Sequence, residues 1–272
     1  MGMPMCRNLA RKSGRGVVAW DARPEALRQI AADGIAAAGS IADLSSKADI
    51  VFLSLPGENE IRSVVQGLRG NTVVDCSTAP VSLAKELARS IKDFADAPVA
   101  RTRQAAIDGT LSIMVGASDA LFARIEPLLR CMATDVTHCG PPGAGQAVKL
   151  LNNMVLSITV MALAEALAVA KASGAVDPKV LFETLMKGSA DSFALRNHGM
   201  KALLPEIHPE KAFPVTYMMK DVGYALELAR SAGLDLLGAG STMELLSKTK
   251  EMGLGEAYHT AIIEAVRKRR AP

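Results

Sequence analysis

Up to about residue 140, short apolar runs of strand length alternate with stretches of helical periodicity. A helical pattern such as Pro24–Ala32, with proline in its first turn and Gly34 after its end, typically separates two of these runs. Strands that alternate with helices predict a parallel α/β sheet of the Rossmann type. The predicted strands are residues 17–20, 50–55, 72–76, 94–98, 111–115 and 135–138.

Beyond the Gly-Pro-Pro-Gly sequence at 140–143, the strand signals stop. From 144 to 268 the pattern is helical and is punctuated by single glycines. We therefore predict a Rossmann-like domain over 1–142 and an all-helical domain over 143–272.

Composition and charge restrict the function classes. Of the 272 residues, 49% are hydrophobic, which is enough to build a sizeable core, and the net charge of +3 does not favour nucleic acid as a partner. The four cysteines show no C-x-x-C spacing, which indicates a reducing cytoplasm and no metal site. The apolar stretch 150–170 nearly has the length of a membrane span, but Asn152, Asn153 and Glu165 interrupt it, so we interpret it as a buried helix of a soluble protein.

The chain opens with Met1-Gly2-Met3-Pro4-Met5, followed by Asn8-Leu9 and Gly14. This is the second half of a G-x-G-x-x-G dinucleotide fingerprint and of the helix after it. It resembles the β-hydroxyacid dehydrogenase family, which reads G-x-G-x-M-G-x-P-M-A-x-N-L-x-x-x-G here, and the resemblance implies that Met1 and Gly2 bind the cofactor.

In that pattern an apolar strand and the first two glycines come before Met1. A form without this strand and these glycines is expected to be less stable than a form that has them, and to bind the dinucleotide poorly. An alternative hypothesis is therefore a catalytically impaired or silent protein of the same fold.

Several residues are candidates for binding the cofactor. Asp21 follows the glycine turn by about twenty residues. A carboxylate in this place accepts hydrogen bonds from the ribose hydroxyls of the adenosine and repels a 2′-phosphate. Helix capping is the alternative for Asp21, and the nearby Arg23 leaves NADP open beside NAD. The family's L-P, D-x-S-T and K-D blocks imply further contacts, from Leu55, Pro56, Ser77, Thr78 and Lys220. Ordinary turn chemistry is the alternative for the first four residues, and an exposed surface position is the alternative for the lysine.

The strongest catalytic candidate is Lys149. It stands among apolar neighbours, which disfavours its charged form, and Asn153 lies four residues further on the same helix face. Such a lysine can take a proton from an alcohol, or return it, while hydride moves to or from nicotinamide. A structural lysine is the alternative. The segment 143–153 matches the family's G-x-G-x-x-x-K-x-x-x-N block, which implies catalysis by Lys149 and substrate binding by Asn152 and Asn153.

A departure from the family lies in the triplet Ala100-Arg101-Thr102, where members usually read Ser-Gly-Gly and bind the substrate carboxylate. An arginine in this place is suited to an oxyanion. A similar triplet occurs in proteins resembling sulfolactaldehyde reductase, so a sulfonate substrate is an alternative to a carboxylate. Arg101 lining only the mouth of the site is the other interpretation.

Together these features predict an NAD-dependent oxidoreductase, with NADP possible as cofactor. It would interconvert a small anionic β-hydroxy acid and its semialdehyde. We expect a cytoplasmic homodimer or homotetramer without a metal and without nucleic-acid or membrane partners.

Overall fold

The first part of the chain alternates strands with helices, as the apolar runs predict. In the computed structural model, residues 1–210 and 212–269 are described. By its internal contacts the chain divides into two units, the first ending at Lys149 and the second beginning at Leu150. The elements of the first unit are α1 (Gly2–Lys12), β1 (Val18–Ala19), α2 (Pro24–Ala32), β2 (Ala36–Ala37), α3 (Ile41–Lys47), β3 (Ile50–Leu53), α4 (Glu58–Val65), β4 (Thr72–Asp75), α5 (Val81–Ser90), β5 (Phe94–Asp96), β6 (Val99–Ala100), α6 (Arg103–Asp108), β7 (Leu111–Gly116), α7 (Asp119–Leu129) and β8 (Ala133–Gly140).

Strands β3, β4 and β5 are parallel neighbours in a six-stranded sheet. Their register pairs Leu53 with Asp75, and Asp75 with Asp96, so the three strands end in one row. The carboxyl ends of parallel strands are where α/β sheets place their ligands. The short strands β1 and β2 pair with each other in a separate parallel sheet.

The prediction of a wholly parallel sheet is wrong at β7, which runs antiparallel to β5 and β6 and parallel to β8. Only the residues from Arg101 to Thr110, including the six-residue helix α6, connect β6 to β7. That connection is too short for a parallel crossover, which needs a dozen or more residues. The sheet is therefore mixed.

The predicted strand 94–98 is interrupted, because Ala97 and Pro98 separate β5 from β6. Proline lacks an N–H and cannot donate to a strand ladder, but its carbonyl still accepts a hydrogen bond from Met114 N (3.2 Å). Strand β2 was not predicted, because its two exposed alanines show neither apolar alternation nor β-branching.

The second unit is helical in its described residues, which confirms the predicted fold class. An isolated bridge joins Pro214 to Tyr258. Helix α8 (Ala144–Ser173) starts in the first unit and continues into the second, where Leu163 and Leu167 pack in a core with Phe182. By length and composition alone, α8 could also cross a membrane. The further elements are α9 (Pro178–Leu185), a π-helix (Leu195–Leu203), α10 (Val215–Ser231), α11 (Leu237–Thr249), a second π-helix (Lys250–Leu254), a 3₁₀ turn (His259–Ala261) and α12 (Ile262–Lys268).

Two buried histidines of this unit lie in contact. The rings of His198 and His259 are 5.0 Å apart, and His198 Nδ1 lies 2.6 Å from the Tyr258 hydroxyl. The Nε2 atoms of both histidines are buried without a hydrogen-bond partner among the described residues. Burial lowers the pKa of His198 to about 4 and that of His259 to about 3. Both side chains are therefore neutral in the folded state at neutral pH.

We expect the stability of the helical unit to fall as the pH drops from 6.5 towards 4. Within that interval the unfolded chain binds protons on His198 and His259 while the folded chain does not, so protonation favours unfolding. Each histidine contributes a slope of about 1.4 kcal/mol per pH unit. Urea unfolding monitored at pH 7 and pH 5 measures this. His259→Gln should show a shallower pH dependence than the parent, and equal slopes would contradict the account.

Candidate active site

The turns that follow β3 and β4 are hydrogen-bonded to each other. Leu55 N donates to Ser77 Oγ (2.9 Å), and Ser77 N donates to Asp75 Oδ1 (2.9 Å). These bonds place the two segments predicted to contact the dinucleotide, Leu55-Pro56 and Ser77-Thr78, side by side at the carboxyl end of the sheet.

Gln146, in the first turn of α8, connects that helix to the turn after β4. Its side chain is fully buried; Nε2 donates to Ser77 O (2.8 Å) and Oε1 accepts from Ala79 N (3.1 Å). Both polar atoms of the amide therefore hold the backbone on either side of Thr78.

Asp96, the last residue of β5, holds the start of α8 from the other side. Its carboxylate is 0% exposed and accepts hydrogen bonds from Gly143 N (2.6 Å) and Gln146 N (2.7 Å). Burial raises the pKa of Asp96 to about 6, and the two N–H donors act in the opposite direction. The carboxylate is therefore ionised at neutral pH, at the positive end of the helix dipole.

Lys149 lies three residues beyond Gln146 on the same helix and is only 8% exposed. A rise of 1.5 Å per residue places its Cα about 4.5 Å along the axis from that of Gln146. The hydrogen bonds of Asp96 and Gln146 therefore fix the helix backbone about one turn before Lys149.

In the second unit, the predicted substrate-binding asparagines belong to one hydrogen-bonded group. Asn153 is buried; its Nδ2 donates to Asp221 Oδ2 (2.6 Å), and its Oδ1 accepts from Asn152 Nδ2 (3.1 Å). Asp221 therefore determines which way the Asn153 amide faces.

Lys220 belongs to the same group, although the sequence assigned it to the cofactor. Its Nζ is 3.6 Å from Asp221 Oδ1 and within 6 Å of the ring centres of Tyr217 and Tyr224. Both rings lie at cation–π distance. Its contact with the cofactor stays a prediction.

Asp21 lies in the turn before α2. Its Oδ1 accepts from Arg23 N (2.8 Å) and from Arg23 Nε (3.2 Å). The carboxylate therefore stabilises this turn. It also binds the guanidinium of Arg23, the group that made NADP possible as the cofactor. The ribose-binding role stays a prediction.

Arg101 has a backbone φ of 82°, in the left-handed region that favours glycine. Its 43% exposed side chain is directed towards the start of β8, where the guanidinium donates to Thr134 Oγ1 (2.9 Å) and Asp135 Oδ2 (2.6 Å). It also donates to Thr110 O (2.7 Å). In this arrangement the arginine orders the loop itself.

The neighbours of Arg101 are also engaged in local structure. Ala100 ends β6, and the Thr102 hydroxyl caps α6 by accepting from Ala105 N (3.2 Å). Substrate binding by the triplet stays a prediction.

Matches to known protein families cover nearly the whole chain. Residues 1–140 match the model for the NAD binding domain of 6-phosphogluconate dehydrogenase, and residues 143–266 match the NAD-binding model of NADP-dependent 3-hydroxyisobutyrate dehydrogenase. The chain is 32% identical to the 2-(hydroxymethyl)glutarate dehydrogenase of Eubacterium barkeri, covering 97% of this chain and 91% of that protein. The chain belongs to the β-hydroxyacid dehydrogenase family.

A second relative and a solved structure also match over nearly their whole length. The 2-hydroxy-3-oxopropionate reductase of Escherichia coli is 31% identical over 98% of this chain and 94% of its own length. The solved structure of Mycobacterium tuberculosis 3-hydroxyisobutyrate dehydrogenase with L-serine superposes with a TM-score of 0.88 at 29% identity, covering 98% of this chain and 96% of that one. Membership of the β-hydroxyacid dehydrogenase family makes the chain an NAD(P)-binding oxidoreductase that acts on CH–OH groups.

Two residues of this family member were not identified from its sequence. Asp96 lies inside the predicted strand 94–98 and Gln146 inside the segment 143–153, and the sequence assigned a role to neither. Each is a polar side chain in an apolar or glycine-rich segment, and a buried polar group needs a partner. That rule is the signal that could have found them.

Proposed function

We propose that this chain is an NAD-dependent dehydrogenase that interconverts a small anionic β-hydroxy acid and its semialdehyde, with Lys149 as the acid/base. The observation that carries the proposal is the nearly buried Lys149 on a helix whose first turn is held by Asp96 and Gln146. The names of the relatives, which describe enzymes of small hydroxy acids and oxo acids, support the substrate class.

In the proposed reaction, one side chain transfers the proton and another binds the oxygen that carries it. Lys149 is nearly buried, and a lysine amine in this position is suited to take the hydroxyl proton during oxidation and to return it to the aldehyde oxygen during reduction. Asn153, oriented by Asp221, is suited to hold the same oxygen. A bound nicotinamide would supply or accept the hydride.

The residues present fit a dinucleotide. A Cβ at Gly2 would lie 3.1 Å from Ser54 Cβ, so α1 begins closely packed against the segment after β3. Among the described residues no side chain caps α1, and its first turn contains no acidic residue, so its N–H groups are suited to a phosphate. Gly2, Asp21 and the two strand-end turns would hold the cofactor.

We expect Asp21→Ala to weaken NAD binding and to reduce the preference for NAD over NADP. The carboxylate would bind the ribose hydroxyls and repel a 2′-phosphate, and its removal releases Arg23. Quenching of the single tryptophan, Trp20, during titration with NADH and NADPH measures both effects. A preference equal to that of the parent would show that Asp21 acts only in the turn.

The experiment for the proposed function is a substrate panel. Oxidation of NADH is followed at saturating cofactor with semialdehydes that carry a carboxylate, a sulfonate or no charge. We expect turnover of the anionic semialdehydes and little of the neutral one. A higher kcat/KM for the sulfonate would favour that substrate class and a role for Arg101. Turnover of none of them, with NADH bound, would contradict the proposal.

The proposal includes self-association. One face of α8 exposes apolar side chains at Val148, Leu151, Val155 and Val169. Their spacing of three, four and fourteen residues forms a stripe along the helix, and two such stripes can pack together. Light scattering should therefore give a multiple of the 28.6 kDa chain mass. Val169→Glu should lower that mass, and a monomeric parent would contradict the expectation.

A further inference from the structure

The N–H groups at the start of α8 donate to a side chain that is distant in sequence. The first turn of a helix leaves several N–H groups unpaired, and a neighbouring Ser, Thr, Asp or Asn usually caps them. Gly143 and Gly145 cannot supply a side-chain oxygen. Instead Asp96, 47 residues before Gly143, accepts from Gly143 N (2.6 Å) and from Gln146 N (2.7 Å).

Two glycines lie against this carboxylate, and at neither of them is there room for a Cβ atom. A Cβ at Gly116, the strand partner of Asp96, would collide with Asp96 Oδ1. A Cβ at Gly145 would lie 2.9 Å from Asp96 Oδ2. The carboxylate is therefore closely packed between the backbone at Gly116 and the backbone at Gly145. Neither oxygen can move far without losing its hydrogen bond.

From this geometry we propose that Asp96 is a positioning residue for the reaction: it fixes the start of α8 on the end of β5, and thereby sets the place of Lys149. The inference rests on the proposed function, since it takes Lys149 as the acid/base. Asp96 itself is fully buried and acts only through the helix. Displacing a reacting group by about 1 Å can cost about a hundredfold in rate, so loosening this turn should affect the chemical step.

The neighbouring acid provides a matched control. Asp75 lies beside Asp96 in the sheet, is also buried and also accepts a backbone N–H, but that N–H belongs to Ser77 in the proposed cofactor turn. Asp96→Asn keeps the shape of the side chain but turns one acceptor into a donor that faces an N–H. We expect it to lower kcat by about tenfold or more, with NADH affinity within about threefold of the parent. Asp75→Asn should instead raise the KM for NAD more than it lowers kcat.

A double substitution separates positioning from general stability. If Asp96 acts through Lys149, adding Asp96→Asn to Lys149→Ala should leave the residual rate nearly unchanged, because the group that it positions is gone. A purely structural role would lower the rate of both backgrounds by the same factor. That result, or a kcat of Asp96→Asn within twofold of the parent, would overturn the inference.

Two further measurements cover the case in which Asp96→Asn fails to fold. Gly116→Ala pushes on the same carboxylate and should lower kcat in the same direction. In the unaltered protein, the amides of Gly143 and Gln146 should be among the slowly exchanging hydrogens, and rapid exchange of both would overturn the inference. Full activity of Lys149→Ala would instead refute the proposed function and, with it, the role given to Asp96.

Discussion

Replacing Lys149 with alanine should lower kcat by about 10²–10⁴-fold and leave NAD affinity nearly unchanged. The lysine would act on the substrate oxygen, while the dinucleotide would be held by Gly2, Asp21 and the turns after β3 and β4. Steady-state rates, together with Trp20 quenching by NADH, measure the two quantities separately.

The control for this substitution is Lys171→Ala, at the other end of α8. Lys171 pairs with Glu206 in the second unit, far along the helix from the proposed chemistry. It should retain a kcat close to that of the parent. If Lys149→Ala keeps more than half of the parent rate at a pH where chemistry limits turnover, then Lys149 is not the acid/base.

Replacing Gly145 with alanine should destabilise the first unit by about 3 kcal/mol or more. A Cβ there would collide with the backbone oxygen of Met114 and lie 2.9 Å from that of Asp96, and backbone atoms cannot move aside as a flexible side chain can. We expect a large fall in the denaturant midpoint and loss of turnover.

Gly240 offers the matched control, because it is also a helical glycine but a Cβ added to it would meet no atom within 4 Å among the described residues. Gly240→Ala should be neutral or stabilising by up to about 1 kcal/mol, since alanine is the better helix former. Equal midpoints for the two variants would show that the start of α8 is not closely packed against β5 and β7.

Local sequence patterns predicted much of this molecule. The apolar runs located β3, β4 and β7 to within two residues, and proline and glycine punctuation placed α2 at Pro24–Ala32. The helical second unit followed from the loss of strand signals after residue 140. Such features depend on residues near one another in sequence, so periodicity and turn chemistry suffice to find them.

What the sequence could not show depends on contacts between distant residues. Asp96 and Gln146 are 50 residues apart, and Gln146 and Ser77 are 69 apart, so no local pattern pairs them. The reversal of β7 depends on the path of one short connection. The direction of Arg101 depends on Asp135 in β8 and on a positive φ that arginine rarely adopts.

The central claim is that the Lys149 amine transfers the proton, and rescue of Lys149→Ala by small alkylamines tests it most directly. The account predicts that methylamine and related amines restore part of the lost rate in proportion to their concentration. The restored rate should vary with the basicity of the amine, as expected for general acid–base catalysis. The parent enzyme should not respond. If saturating NADH and substrate give no amine-dependent rate in a Lys149→Ala protein that is folded and binds NADH, the account is contradicted.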